Sequence, residues 1–438
     1  MILLYAVMNQ NCYAVQKNSA VFSLLNPEKE VNSAYGFETP EPDNQWIYEH
    51  CGIRVYRTHL FFFRNYCVAC FIPDNDTALN DGYEWISADQ LSAIDASEEI
   101  ISAVLLAQNG MQNNTVPWIS AAGFSTYLNW AKAVLTEHGY SLCGTIQQIK
   151  NAYVSSIFKI PTSKEMLYLK ISASVYVNDA ATEQKITSDM GGIPVFVAVS
   201  PDGMASITKE MAGGDCQIGT PAQYKQWLVD WGKRQVCTIK SNIYSLTDYS
   251  PQKLLADIPN FPNQIMKIYE IAGRPFDDQK CELLKSKLVT VRDALTHLCT
   301  YPIPNAVCHA DIRPGNVRIT ENEEKLYDWG MAFWGHPFYD AIHFLHVVRR
   351  QLTEQDRFEI INAYLSQWGA IADKQVLLDA YIAAEQCKDY FMLTADYRWA
   401  AEILEICGDI PQKGTMDNWL LSRRFYYFDR VLHRFIEE

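Results

Sequence analysis

Between Val307 and Phe344 the chain reads VCHADIRPGNVRITENEEKLYDWGMAFWGHPFYDAIHF. His309 and Asp311 stand one residue apart, Asn316 follows Asp311 by five positions, and Asp328 follows it by seventeen. Such side chains are costly to bury without partners, yet they lie between apolar runs that read as core. Phosphoryl transfer from a nucleotide needs this set, because its catalysis is mostly positioning and charge stabilisation. One carboxylate takes or orients the acceptor hydroxyl's proton, and oxygen ligands hold Mg²⁺ against the phosphates. Asp311 is the base candidate, and Asn316 and Asp328 are the metal-ligand candidates. Pro314 and Gly315 allow a tight loop between base and ligand, and the apolar pieces AVC and KLY before each turn fix its direction.

Those turns need elements to carry them. Residues 1–107 read as a small α/β unit, with strands at ILLYAV, GIRVYRTHLFFF and CVACFI and one helix over SADQLSAIDASEEIISAVLLAQ. The polar stretch from Gln108 to Pro117 reads as a linker, giving 108–120 as the boundary region. A helix follows at FSTYLNWAKAVLTEHG, with a glycine stop. Strands at IQQIKNAYVSSIFKIP and MLYLKIS, a helix at NDAATEQKITSDMGG, and strands VFVAVS and ASITKEMA joined by a PDG turn complete residues 121–214. From 215 to 438 the pattern is helical. Leu284, Leu288, Val291, Leu295 and Leu298 fall on one helix face. The expected class is α+β: a small antiparallel-sheet lobe, then a larger helical lobe.

The H-x-D-x-x-x-x-N run followed by D-W, and then by GHPFYDAIHF, resembles the aminoglycoside phosphotransferase and choline kinase-like family, which shares the bilobal protein kinase-like fold. The resemblance covers about residues 120–438. It implies ATP as donor (with GTP the alternative), Mg²⁺, and a hydroxylated small-molecule acceptor. It makes Asp340 a structural closure of the catalytic loop. It also assigns Lys170, at the end of YLKIS, to the phosphates, with Glu183 in the next helix as its ion-pair partner. Backbone groups of Glu210 and Ala212 would meet the adenine edge. The phosphate-covering loop would be KNAYVSS, with Tyr153, Ser155 and Ser156. Two departures stand out: no G-x-G-x-x-G precedes Lys170, and Arg313 occupies a position that is often His. In residues 1–107, GYEWISADQLSAI is faintly similar to the end of a Nudix domain, but the Glu-rich Nudix box is absent.

Other readings weigh less. A noncatalytic nucleotide-binding protein of this fold would tend to lack one of Lys170, Asp311, Asn316 and Asp328. A Nudix-type hydrolase lacks its box, and a protein kinase lacks its glycine loop.

Composition bounds the partners. The chain has 438 residues, 48% of them apolar, and a formal net charge of −14. That charge disfavours nucleic acid. With the resemblance it suggests a cationic acceptor, such as an aminoglycoside or another amine-bearing antibiotic. Glu385 and Asp389, at i and i+4 on a helix, are the candidate acids for it, and the later stretch NWLLSRRFYYFDR adds Trp419, Tyr426 and Asp429. The apolar opening MILLYAV reads as a strand rather than a signal, and no apolar run is long enough to span a membrane. The expected setting is cytoplasmic with reduced thiols, so the twelve cysteines are not a disulfide frame. Cys67 and Cys70 read as a buried strand pair, and His343 and His346 as packing or hydrogen-bonding histidines on a helix.

Overall fold

The computed structural model describes residues 2–9, 12–18, 21–28, 39–63, 66–74, 78–113, 121–151, 155–172, 178–215, 219–239, 243–271, 274–319, 324–395, 397 and 428–437. Tyr153, Trp419 and Tyr426 lie outside them. The chain divides into two compact units, whose described residues fall within 1–175 and 196–210, and within 176–195, 211–401 and 424–438.

The first unit holds two sheets. One contains β1 (Ile2–Asn9), β2 (Cys12–Asn18), β3 (Val21–Leu24), β4 (Val55–Phe63), β5 (Tyr66–Pro73) and β6 (Tyr83–Ser87), in the order β3-β2-β1-β5-β4 with β6 on β2. β1 and β5 pair in parallel. Their burial is continuous, as expected of strands covered on both faces. Cys67 and Cys70 are free, buried thiols of β5. Helix α1 (Glu41–Cys51) and helix α2 (Glu98–Asn113) belong to this part. The single helix expected from Ser87 onward is two pieces: a 3₁₀ turn over Ala88–Ala93, and then α2. Ser97 restarts the chain as a helix by accepting the Ile100 N–H. α2 then runs to Asn113, through the first part of the expected linker.

Helix α3 (Ala121–Glu137) leads into the antiparallel sheet of β7 (Gln147–Asn151), β8 (Ser155–Pro161), β9 (Met166–Ser172), β10 (Phe196–Val199) and β11 (Ala205–Lys209). Its order is β10-β11-β9-β8-β7. The two sheets and α3 share one hydrophobic core. Tyr56 of β4, Phe124 of α3 and Phe158 of β8 meet there, with centroids 5.5–6.0 Å apart. Polar ties cross the same boundary. Gln148 accepts the Arg57 N–H at 2.8 Å and returns its amide to the Arg57 carbonyl at 2.8 Å. Arg57 is fully buried and paired with Asp43 of α1 at 2.7 Å, while the Tyr5 hydroxyl donates to the other Asp43 oxygen.

The second unit begins with α4 (Ala180–Asp189), whose N-cap Asp179 accepts from the N–H groups of Ala181 and Thr182. It continues with β12 (Gly214–Asp215), α5 (Pro221–Thr238), β13 (Asp248–Tyr249), α6 (Pro251–Asp257), α7 (Phe261–Ile271) and α8 (Asp278–Leu298). α5 starts on a capping box, with Thr220 and Gln223 each satisfying the other's backbone N–H. In α8 the expected stripe Leu284, Leu288, Val291, Leu295 and Leu298 is buried. Then come β14 (Ala306–Cys308), β15 (Val317–Ile319), β16 (Glu324–Leu326), β17 (Phe333–Gly335), α9 (Phe338–Val348), α10 (Glu354–Leu365) and α11 (Lys374–Gln386). Two small sheets, β12-β15-β16 and β13-β17-β14, frame the turns that carry the candidate residues. The class is α+β, and among the described residues no helix is long and apolar enough to cross a membrane.

Candidate active site

The second unit builds the site from the inside outward. β14 is wholly buried, and the chain leaving it is held by a single carboxylate. Asp340, in the first turn of α9, accepts the His309 N–H at 2.7 Å and the Ala310 N–H at 3.1 Å. It also accepts the Trp231 indole N–H from α5 at 3.0 Å. Ala310 sits at φ 74°, a left-handed conformation that a side chain tolerates only when its surroundings fix it. The two bonds to Asp340 supply that restraint and turn Asp311 outward. Burial pushes the Asp340 carboxyl up to about 6, against the pull of the His309 and Ala310 N–H groups. This is the closure role that the resemblance implied for Asp340.

His309 is fully buried. Its Nε2 donates to the Tyr327 carbonyl at 3.0 Å, and its ring lies against Trp329, 4.7 Å away. Burial holds its imidazole below the usual range, so the ring is neutral and acts as a strut between the two turns. The turns are tied again by the Tyr327 N–H to the Asn316 carbonyl, 3.0 Å, and the Tyr327 hydroxyl to the Gly315 carbonyl, 2.6 Å. Between them β15 and β16 pair Val317 with Leu326. Asn316 just before the hairpin and Asp328 just after it are therefore brought to the same end.

Asp311 is the partly exposed member, at 30% of its side-chain area. Its Oδ2 accepts the Asn316 amide at 2.9 Å and the Arg313 Nε–H at 3.1 Å. Asn316 also donates to the Asp311 main-chain carbonyl at 2.8 Å. His343 of α9 faces the other oxygen, its Nε2 3.8 Å from Oδ1. Burial pulls the Asp311 carboxyl up, but His343, Arg313 and Asn316 outweigh it and hold it below the ordinary carboxylate value. The group is an ionised acceptor with Oδ2 held by two donors and Oδ1 facing His343.

Asp328 lies at φ 66° before a 3₁₀ turn over Trp329–Met331. α4 and its flanks grip this turn. The Asn178 N–H donates to the Gly330 carbonyl, the Asn178 amide to the Ala332 carbonyl, and the Ile193 N–H to the Leu326 carbonyl. Gly192 lies so near that an added Cβ would be 2.6 Å from the Trp329 indole nitrogen. Glu183, on this same α4, is buried.

The donor set suits Mg²⁺. Asn316 uses its amide hydrogens on Asp311, and its Oδ1 takes no hydrogen bond among the described residues. With the Asp328 carboxylate this gives two hard oxygen donors. Mg²⁺ bound to a nucleotide asks little more, since phosphates and water supply the rest. Among the described residues no cluster of three His, Cys, Asp or Glu side chains forms a protein-only metal cage.

Residues 268–375 match the family model of the phosphotransferase enzyme family. The matched segment contains Asp311, Asn316, Asp328 and Asp340, on which the sequence resemblance rested. The match does not reach residues 1–107, and the Nudix-like similarity there is without support. No curated protein matches the chain. Among solved structures, a choline/ethanolamine kinase family protein from Mesorhizobium loti is 17% identical, covering 71% of this chain and 98% of its own, with a TM-score of 0.43. An ethanolamine kinase of Plasmodium vivax is 13% identical, covering 75% and 95%, at 0.45. A spectinomycin phosphotransferase with ADP and spectinomycin is 15% identical, covering 69% and 96%, at 0.41.

The remaining expected residues fall as follows. Lys170 lies in β9, half-buried. Ser155 and Ser156 open β8 and are buried; the Ser156 hydroxyl donates to the Lys150 carbonyl and accepts from Gln148, so it is spent inside the sheet. Glu210 gives its N–H to the Met166 carbonyl and accepts the Tyr168 hydroxyl, and Ala212 is exposed. Glu385 is ion-paired with Arg357 and Asp389 with Arg434. Asp429 accepts the Tyr269 hydroxyl.

Sequence reasoning missed Trp231 and Gln235, one turn apart on α5. Gln235 is fully buried and donates to the Pro337 carbonyl at 3.2 Å, beside Asp340. A glutamine on an otherwise apolar helix face was the available signal. It also missed what His343 faces.

Proposed function

We propose that the protein is an ATP- and Mg²⁺-dependent phosphotransferase that phosphorylates a hydroxyl group of a small molecule. The observation that carries this reading is the double hold of Asn316 on Asp311. It leaves one carboxylate oxygen for the acceptor's proton and one carboxamide oxygen for a cation. Magnesium, when bound by Asp328 and Asn316, would neutralise charge on the donor's phosphates.

The chain's own residues do the rest. Asp311 accepts the acceptor hydroxyl's hydrogen bond through Oδ1, orients the oxygen for attack, and takes the proton as the new oxygen–phosphorus bond forms and the bond from the γ-phosphorus to the departing ADP breaks. Its lowered pKa makes it a weak base, which suits a reaction whose barrier is lowered chiefly by positioning. Arg313 and Asn316 keep Oδ2 from rotating into the acceptor's place. Lys170 is assigned to the donor's phosphates, Glu183 to holding that lysine forward, and Ser155 to the loop over them. The main chain of Glu210 and Ala212 is assigned to the base of the nucleotide.

The test is nucleotide turnover by the purified chain with Mg²⁺, ATP or GTP, and a panel of hydroxylated acceptors, with product phosphorylation read by mass. Acceptor-dependent ADP release that Asp311→Asn lowers about 10²–10⁴-fold is the expected result. Wild-type turnover in Asp311→Asn would remove the base from the mechanism.

A further inference from the structure

A small pocket opens on the α9 side of Asp311, lined by His343 and His346 of α9, by Lys388 and by the apolar side chains of Phe391 and Met392. His343 and His346 are three residues apart and share one helix face. Lys388 belongs to the helical turns that follow α11 and is half-buried. His343 joins the pocket to the catalytic carboxylate, since its Nε2 lies 3.8 Å from Asp311 Oδ1. That nitrogen is buried and has no hydrogen-bond partner among the described residues.

The charges around this pocket run against the cationic acceptor suggested by the whole-chain balance. Asp389 is bound by Arg434 and Glu385 by Arg357, so both nearby acids are compensated. Among the described residues Lys388 makes no ion pair. Burial, and then the cations Arg349, Arg434 and Lys388, press the His346 imidazole down to about 4. A proton is disfavoured there first by burial, and the three cations add to that while Asp389 opposes them. The pocket thus offers an ammonium without an ion pair among the described residues and two imidazoles against an apolar wall.

We infer that the acceptor carries an anionic oxygen group, carboxylate or phosphate, and that this group is held by Lys388, His346 and His343 while the hydroxyl to be phosphorylated lies at Asp311. This rests on the phosphotransferase reading of the same site. His343 lies between the two ends, so the anion and the hydroxyl belong to one compact molecule. An amine at the anion's position would meet Lys388 and be repelled.

Two measurements test this. In the first, the full-length protein is saturated with Mg²⁺ and a non-hydrolysable ATP analogue and titrated with inorganic phosphate, followed by calorimetry and by the imidazole resonances. Wild type should bind phosphate with shifts at His343 and His346. Lys388→Gln should bind it at least tenfold more weakly, and Lys388→Arg, which keeps the charge, should restore binding. In the second, ADP release is compared across one skeleton: glycerate, glycerol phosphate, glycerol and 3-aminopropane-1,2-diol. The anionic members should lead, and the better of the two identifies the group. Phosphate binding unchanged by Lys388→Gln, or turnover led by the amine or the neutral triol, overturns the inference. Failure to bind the nucleotide analogue would instead count against the phosphotransferase reading, while the titration would still decide the anion site.

Discussion

Asn316 donates twice to Asp311, once to its main-chain carbonyl at 2.8 Å and once to its carboxylate at 2.9 Å. On the proposed function, the side chain assigned to the cation also sets the aim of the carboxylate assigned as base. Asn316→Ala should damage both: kcat falls, and the Mg²⁺ concentration for half-maximal activity rises by roughly 10–100-fold, the usual effect of losing an orienting partner. Asp328→Ala should abolish turnover while leaving the melting temperature near that of wild type. A Mg²⁺ titration of each variant checks this, and an unchanged requirement in Asn316→Ala would detach it from the metal.

Asp340 is a buried carboxylate that satisfies four donors, two of them on the strained Ala310 corner. Asp340→Ala strands those N–H groups and should destabilise the second unit by about 3–5 kcal/mol. Activity should fall with it. Urea unfolding followed by tryptophan fluorescence reads the effect, because Trp231 donates to Asp340.

Acid should weaken the second unit through its buried histidines. Burial depresses His336 to about 3, His346 is held near 4, and His309 is also lowered. Unfolded histidine titrates near 6.5, so below that pH the unfolded chain binds more protons than the native one. Stability is full above about 6.5 and is lost as pH falls towards the folded values. His336→Gln should reduce the slope of unfolding free energy between pH 4 and 6 by roughly 1.4 kcal/mol per pH unit, the value of one proton. An identical slope in that variant would show His336 to be charged in the native state.

Gly192 leaves room for the Trp329 indole that follows Asp328. Gly192→Ala places a methyl 2.6 Å from the indole nitrogen and 3.1 Å from the Leu326 carbonyl. Overpacking of this kind costs about 1–3 kcal/mol. The displacement falls on the Asp328 turn, so kcat should drop more than stability accounts for. Equal losses in Gly192→Ala and in a distant variant of matched stability would refute the coupling.

In the first unit, Asp43→Ala would leave Arg57 buried and unpaired, at a cost of about 3–5 kcal/mol. Replacing both by apolar residues, Asp43→Leu with Arg57→Met, should recover most of it. Chemical unfolding of the single and double variants distinguishes an ion pair required for stability from one that is replaceable.

Much of the site was legible because its chemistry and its punctuation coincide. Asp311, Asn316 and Asp328 stand on short turns between apolar strands, and β14 and β16 lie where AVC and KLY predicted strands. The stripe of α8 was legible from period alone. Helix α1 was not, because its inward positions are Asp43, Ile47 and Cys51, and a buried aspartate does not read as core until Arg57 is known to meet it. The break before α2 was hidden for a related reason: Ser97 ends one helical pattern and caps the next without interrupting the polar-apolar period. Glu385 lies in α11 and Asp389 beyond its end at Gln386, and their arginine partners, Arg357 and Arg434, are connected to them by no local pattern.

The core shared by the two sheets of the first unit bears on how this chain can be dissected. Gln148 closes its bonds on the Arg57 backbone, and Phe124 and Phe158 close theirs on the Tyr56 ring. A fragment cut at residue 121 would keep every residue assigned to catalysis, yet it would bare the back of β7 and β8 to water. Such a fragment should be recovered as aggregate rather than as a minimal enzyme. The described residues of this first sheet and its helices supply half of a shared core rather than a detachable module, and an insertion or deletion in them should be felt as loss of soluble protein before any change in kinetics.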